Sequence, residues 1–473
     1  MAFTVFQLPI GYRLYDREKN KIIPLQEEEY LALSRVIRKE STSGDRKILK
    51  RFQEKGFCNE TSLCDIENPA TASISTVIKS NVRQMVLQLT QNCNLRCSYC
   101  AYSGNYNNRE HSQKRMSLET ALQAVVFFVE HSTEVSEATI GFYGGEPLLE
   151  FPLIWEIVEY VSRKYPGRNI RYNLTSNLTL LTDEIIDYLV KNNISMMISI
   201  DGPQPVQDRY RVFANGKGSF SKVMENAQRL YDKAPDYFQK CMTNTVISPD
   251  GDCEAVKEFL DRDDLFGKTH SMMTRVNETG LKKPVKYGEN YRQMVRKEKL
   301  KLLLAMLGEI SYEKVSPLFT DTQTNIIQMN QMLRTNGTQG KSKGHPGGPC
   351  IPGKKRIFVD VEGNIYPCER IAEYPNYQIG NIFDGFDIER IKQMINVAQY
   401  TKNECLHCWA FMYCGSCIAN MAGNETINPQ MRLQKCYEEK NKVLSNMADM
   451  EIMKHYGLDF WRFQMAGKSG KND

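Results

Sequence analysis

The sequence predicts an α/β chain: a partial (β/α)6 TIM-like barrel, preceded by a winged-helix-like module and followed by a cysteine-rich domain. Three observations carry this. From about residue 84, apolar runs of strand length alternate with amphipathic helical stretches. The first eighty residues hold strand and helix patterns with too small a core for a catalytic domain. Beyond a Gly/Lys/Pro-rich stretch at 337–353, seven of the 14 cysteines fall between 350 and 436. The expected regions are therefore 1–80, 81–336 and 337–473.

Within the first region, Thr4–Gln7 and Tyr12–Asp16 alternate with strand period. Gln26–Arg38 places Tyr30, Leu31, Leu33, Val36 and Ile37 on one helix face, and Asp45–Lys55 predicts a second helix. In the second region, strands are expected at Met85–Leu89, Ala138–Tyr143, Arg171–Thr175, Met196–Ile200 and Met242–Ile247. Helices are expected at Ser117–His131, Phe151–Arg163, Asp183–Lys191, Phe220–Ala234 and Cys253–Asp261. A helix after each strand implies a parallel sheet, with ligands gathering at the carboxyl ends of the strands. Residues 288–335 read as helical, with Met294, Met306, Met329 and Met332 as core filling. The last region shows a hairpin at Phe358–Tyr366 and a charged helix near Tyr437–His455.

Composition narrows the classes. Hydrophobic residues at 41% and charged residues at 25% of 473 fit a globular chain, and a net charge of +5 is small for that length. No basic run interleaved with aromatics points to nucleic acid. No stretch reaches the ~18 apolar residues of a membrane span, and the N-terminus lacks the pattern of a signal peptide. A cytoplasmic protein is expected. There, cysteines serve metal or redox chemistry rather than disulfides. Cys58, Cys64, Cys241 and Cys253 are scattered and read as small buried or neutral residues.

The first cysteine group follows the first barrel strand in LTQNCNLRCSYCAYSG, as Cys93-x3-Cys97-x2-Cys100. Three thiolates hold three irons of a 4Fe–4S cubane and leave the fourth iron to an outside ligand. The alternative, a structural zinc site, is normally closed by four ligands, and the nearest histidine, His111, lies eleven residues on. The spacing, Tyr99 before the last cysteine and the preceding strand resemble the radical S-adenosylmethionine (SAM) superfamily signature. That resemblance implies an open iron chelated by SAM and reductive release of a 5′-deoxyadenosyl radical. It makes Cys93, Cys97 and Cys100 the catalytic cluster ligands. Gly144-Gly145-Glu146 after the second strand resembles the motif that holds the SAM amino group. Ser176, Asn177, Ser199 and Asp201 resemble residues that hold its carboxylate or ribose, and Arg211 is similar to an arginine that pairs with the carboxylate in related maturases. Taken alone, the glycine pair and Asp201-Gly202-Pro203 could equally be ordinary turns.

The second set runs Cys350, Cys368, Cys405-x2-Cys408-x5-Cys414-x2-Cys417 and Cys436. Seven thiolates cannot fill two four-ligand sites, so one stays open or takes a non-cysteine ligand. Two zinc ribbons would also accept this spacing. The arrangement resembles the SPASM domain of radical SAM peptide- and protein-modifying enzymes. The resemblance implies two auxiliary 4Fe–4S clusters, one on Cys350, Cys368 and Cys417 and one on Cys405, Cys408, Cys414 and Cys436. The two-residue gap between Cys414 and Cys417 departs from the family's usual three and bears on that partition. An open iron in the first auxiliary cluster would bind a substrate cysteine as thiolate and present its sulfur to a carbon radical.

Residues 1–80 resemble, more loosely, the leader-peptide recognition element of peptide-modifying enzymes, where a leader adds as a strand to a sheet edge. By overall layout the chain resembles the maturases of sactipeptides and ranthipeptides. The implied function is thioether cross-linking of a Cys-rich ribosomal precursor peptide. Implied partners are that peptide, through its leader, and an electron donor such as flavodoxin or ferredoxin; nucleic acid and membrane are not expected. Rival readings are another radical modification (a carbon–carbon cross-link, epimerisation, or formylglycine formation as in sulfatase maturases) and a non-catalytic iron–sulfur carrier or scaffold.

Overall fold

A computed structural model of the chain describes residues 1–460 except 108, 250, 251, 279, 284, 317, 318, 372 and 422–425. Three antiparallel strands open it: β1 (Phe3–Leu8), β2 (Gly11–Asp16) and β3 (Lys21–Leu25). The sequence reading lacks β3, because Pro24 interrupts its strand pattern. Side chains alternate across this sheet with period two. Phe3 and Leu14 meet Leu33, Val36 and Phe52 of the helices Glu27–Arg38 and Ser43–Glu54, whereas Phe6, Leu8 and Tyr15 face the rest of the chain. Both helices start with a capping box, on Gln26/Glu29 and Thr42/Asp45.

After β4 (Asp65–Ile66), the barrel strands are β5 (Gln84–Thr90), β6 (Ala138–Gly144), β7 (Ile170–Ser176), β8 (Ser195–Ser199), β9 (Met242–Ile247) and β10 (His270–Arg275). They pair in parallel and in sequence order, from β5 to β10. The first five match the expected strands. The sixth, HSMMTR, went unlocated: its interior residues are mostly half-buried and show no clean alternation. Helices Leu118–Glu130, Phe151–Lys164, Asp183–Lys191 and Phe220–Lys233 share one apolar core with the sheet.

The strand β11 (Lys343–Gly344) pairs with β4, tying the 337–353 stretch to the later part of the N-terminal region. The expected hairpin forms from β12 (Ile357–Val359) and β13 (Asn364–Tyr366), then β14 (Gly380–Asn381) and β15 (Gly385–Phe386). It does not stand apart. β12 pairs in parallel with β5, giving one ten-stranded sheet in the order β10-β9-β8-β7-β6-β5-β12-β13-β14-β15. This long-range pairing, across more than 260 residues of sequence, leaves no local signal. The helices Glu289–Met306 and Thr320–Met332 pack with Pro429–His455 in a second core, where Met294, Met306 and Met329 are buried as expected. No helix among the described residues is long and apolar enough to cross a membrane.

Candidate active site

The four sequence loops arrive at one end of the parallel sheet. Cys93, Cys97 and Cys100 follow β5; Gly144 ends β6 and Gly145-Glu146 follow it; Ser176 ends β7, with Asn177 next; Ser199 ends β8, two residues before Asp201. Close packing explains the glycine pair. A Cβ on Gly144 would stand 2.2 Å from the Thr90 carbonyl oxygen, and one on Gly145 would stand 2.0 Å from that of Asn92. Gly144 also has φ +138°, a conformation that disfavours any side chain. The Gly145 N–H donates to the Thr90 carbonyl at 2.8 Å and the Glu146 N–H to the Asn92 carbonyl at 3.0 Å. The β6 loop therefore lies directly against the backbone leading into Cys93.

Glu146 is 1% exposed, and its carboxylate accepts three hydrogen bonds. They come from the Leu148 N–H at 3.1 Å, the Ser176 hydroxyl at 2.8 Å and the Asn177 N–H at 2.8 Å. Burial pushes its pKa up, and those donors oppose the shift. Asn177 donates to Asn94 Oδ1 at 2.9 Å, inside the cysteine loop. Thus Glu146, Ser176 and Asn177 form one hydrogen-bonded cradle under Cys93.

On the other side, Arg211 Nη1 donates to the Tyr99 hydroxyl at 2.8 Å, and that hydroxyl donates to Asp201. Asp201 also accepts from the Val246 N–H at 3.0 Å, and Arg211 Nη1 lies 3.9 Å from its Oδ1. Asp201 is fully buried and Arg211 is 7% exposed. The Arg211 Nε is buried with no acceptor among the described residues. Backbone bonds from Arg96 to Val212 (2.7 Å) and from Ser98 to Tyr210 (3.0 Å) pin the cysteine loop to this segment. The sequence reading missed the linking role of Tyr99 and the Asn94 contact; adjacency to Cys100 and Cys93 was the only signal for either.

The donor chemistry fits an iron–sulfur cluster. Burial pushes the Cys93 thiol up to about 12 and the Cys97 thiol to about 11, and raises that of Cys100. Arg211 opposes the shift at Cys97 and Cys100, favouring thiolate there. Metal ligation displaces such protons. Among the described residues no three His, Cys, Asp or Glu side chains converge on a point that suits one metal ion. A cubane places each thiolate on a different iron and needs wider spacing than a closed zinc site.

Within the second cysteine set, several thiols act on one another. Cys368 feels Cys417 and Cys350, and Cys417 feels Cys350. Cys408 feels Cys405, Cys414 feels Cys408, and Cys436 feels both Cys408 and Cys405. Cys350 is exposed; Cys368 and Cys417 are half-buried. Cys58, Cys241 and Cys253 are buried as expected, but Cys64 is exposed, its thiol 3.3 Å from the Ser342 carbonyl. An unforeseen network joins the two regions. Gln88 Nε2, on β5, donates to the Tyr102 hydroxyl at 2.6 Å and to Glu373 at 2.9 Å. Arg109 donates to the carbonyls of Glu369 (2.8 Å) and Ile371 (3.0 Å) and pairs with Glu373 at 2.7 Å. The segment after Cys100 is thereby strapped to the loop after Cys368.

Residues 87–262 match the profile of the Radical SAM superfamily. The chain is 26% identical over 361 residues to a cysteine-type anaerobic sulfatase-maturating enzyme of Clostridium novyi, spanning 73% of this chain and 90% of that enzyme. It is 24% identical over 320 residues to a serine-type anaerobic sulfatase-maturating enzyme of Bacteroides thetaiotaomicron, spanning 63% and 71%. Among solved structures, native anSMEcpe with bound AdoMet superposes with a TM-score of 0.55 at 19% identity, covering 77% of this chain and 99% of that one; this likeness is one of fold.

Proposed function

Residues 87–262 form a radical SAM domain, and on that premise we propose that the chain modifies a ribosomal, cysteine-bearing precursor peptide, forming thioether bonds from cysteine sulfur to carbon. When bound, the first cluster and SAM supply a 5′-deoxyadenosyl radical that takes a hydrogen atom from the peptide. Cys93, Cys97 and Cys100 are the proposed ligands of that cluster. Gly144, Gly145, Glu146, Ser176, Asn177, Ser199, Asp201 and Arg211 are proposed to shape and charge the SAM pocket. The Arg211 Nε, buried and without an acceptor among the described residues, is the donor available to a SAM carboxylate.

The observation that carries the thioether reading is the grouping of Cys350, Cys368 and Cys417. It offers one thiol fewer than a four-iron cluster takes, and its Cys350 is exposed. A substrate cysteine thiolate suits the remaining position, and a cluster there would accept the one electron left over when the sulfur joins the carbon radical. The four-cysteine group would hold the second auxiliary cluster. In the N-terminal module, β1 and β3 are the open sheet edges, and a leader strand is proposed to pair at one of them. A flavodoxin or ferredoxin is the proposed source of electrons. A second reading is favoured by the two sulfatase-maturating relatives: oxidation of a target cysteine or serine to formylglycine.

Co-expression with a Cys-rich precursor and tandem mass spectrometry separates these readings. Each thioether removes two hydrogens, about 2 Da, and blocks alkylation of one cysteine. A peptide whose thiols all stay free refutes thioether formation. Cys97→Ala should abolish all turnover. Cys368→Ala should retain some 5′-deoxyadenosine release and lose cross-linking; loss of both activities, or of neither, contradicts the division of labour. No 5′-deoxyadenosine from reduced parent enzyme would sink the radical reading and leave an iron–sulfur carrier.

A further inference from the structure

Arg432 lies on the helix Pro429–His455, one turn before Cys436, and is 1% exposed. Its Nη1 donates to the Cys405 sulfur at 3.0 Å and to the Thr401 hydroxyl, which itself stands 3.3 Å from that sulfur. Its Nε and Nη2 are buried and have no acceptor among the described residues. No carboxylate among the described residues pairs with it within 4.0 Å. Sulfur stands beside it instead: Cys405 accepts from its Nη1, and Cys436 follows one turn along the same helix. A guanidinium stays protonated in proteins, so this is a fixed buried cation with donors to spare. Leaving it unpaired is costly, and an anionic partner offsets that cost.

We propose that Arg432 is a positioning residue: the counter-ion and hydrogen-bond donor of a cluster held by Cys405, Cys408, Cys414 and Cys436, raising that cluster's reduction potential. This rests on the reading above that those four cysteines hold iron and sulfide. Four thiolates around a cubane carry net negative charge, which grows by one when the cluster accepts an electron from an external reductant. A nearby positive charge and an N–H···S bond favour the more negative state. The sequence hides this role, because Arg432 is one arginine among many until the helix sets it four residues, one turn, before Cys436.

The test uses full-length, anaerobically reconstituted enzyme, with iron analysis and a dithionite titration followed by electron paramagnetic resonance. Arg432→Gln removes the charge and keeps a donor; Arg432→Lys keeps the charge. The Gln variant should hold as much iron as the parent and show, for one cluster signal, a reduced-to-oxidised ratio about tenfold lower at fixed solution potential, a shift of about 59 mV for one electron. Lys should restore most of it. A packing role alone would not move the potential, so a fully loaded Gln variant with unchanged potential overturns the proposal. Loss of one cluster in the Gln variant with retention in the Lys variant supports it; loss in both overturns it in favour of packing. A parent with iron for a single cluster, about four atoms per chain, defeats the cysteine reading itself, a failure visible before any variant is made.

Discussion

At the scale of single residues, the site is organised by buried polar groups that satisfy one another across different loops. Tyr99 shows this most directly. Its hydroxyl accepts from Arg211 and donates to Asp201, so it joins a buried cation to a buried anion that are otherwise 3.9 Å apart. Tyr99→Phe keeps the ring and deletes both bonds. Leaving such groups unpaired costs about 1–3 kcal/mol, so the variant should melt lower and cleave SAM about tenfold more slowly while keeping its iron content. Unchanged SAM cleavage would show that this relay does not position Arg211. Glu146 illustrates the limit of a motif. The sequence points to it as a cofactor residue, while the structure gives its carboxylate three donors from the chain itself. Which atoms a motif residue spends on its own protein is a tertiary fact.

At the scale of elements, most helix starts were legible, because their chemistry is local: Phe151, Asp183, Phe220 and Cys253 begin helices where expected, whereas the helix expected from Asp45 starts two residues earlier. Thr42 and Asp45 cap the helix Ser43–Glu54 reciprocally, and Arg35 from the preceding helix binds Asp45 at 2.6 Å. That guanidinium, with the Thr42 N–H, holds the Asp45 carboxyl well below the usual carboxylate range. A folded pKa below the unfolded value of about 3.9 contributes stability that is present above pH 4 or so and lost as the pH falls through the folded pKa. The difference in urea midpoint between the metal-free parent and Asp45→Asn should therefore be widest near pH 6 and shrink toward pH 2. A difference constant across that range would contradict the pairing. Strands were less legible. β10 and β3 escaped because neither half-burial nor an interrupting proline leaves a period-two pattern.

At the scale of the whole molecule, the turn after β2 decides how the N-terminal module sits. Arg17 is fully buried and donates to the carbonyls of Leu406 (2.7 Å) and Cys408 (3.1 Å), while pairing with Glu18 at 2.7 Å. Glu18 accepts from Thr338 at 2.6 Å, and Asn20 accepts from Tyr413 at 2.5 Å. A module with too small a core for a catalytic domain is thus keyed into the segment that carries Cys405 and Cys408. Arg17→Met removes the cation of a buried pair and leaves the Glu18 carboxylate to the neutral donors of Thr338 and Ser62, a loss of about 3–5 kcal/mol. Limited proteolysis should then release the first eighty residues faster than in the parent, and the loop cysteines should alkylate more readily in the metal-free chain. Equal cleavage and labelling would show that the contact does not hold the module.

By itself the sequence determined the α/β alternation, the cysteine sets and the four loops that meet at one sheet end. Each depends on spacing within a short stretch of chain, where period, turn chemistry and ligand geometry act locally. Only the tertiary structure decided that β12 extends the barrel sheet beside β5, that Tyr99 links Arg211 to Asp201, and that Arg17 and Arg432 stand beside the C-terminal cysteines. Those contacts join residues from 27 to 391 positions apart. The strand pairing rests on backbone hydrogen bonds and the side-chain contacts on burying charge against a complementary group, and a residue's type does not say which distant group the fold will bring to it.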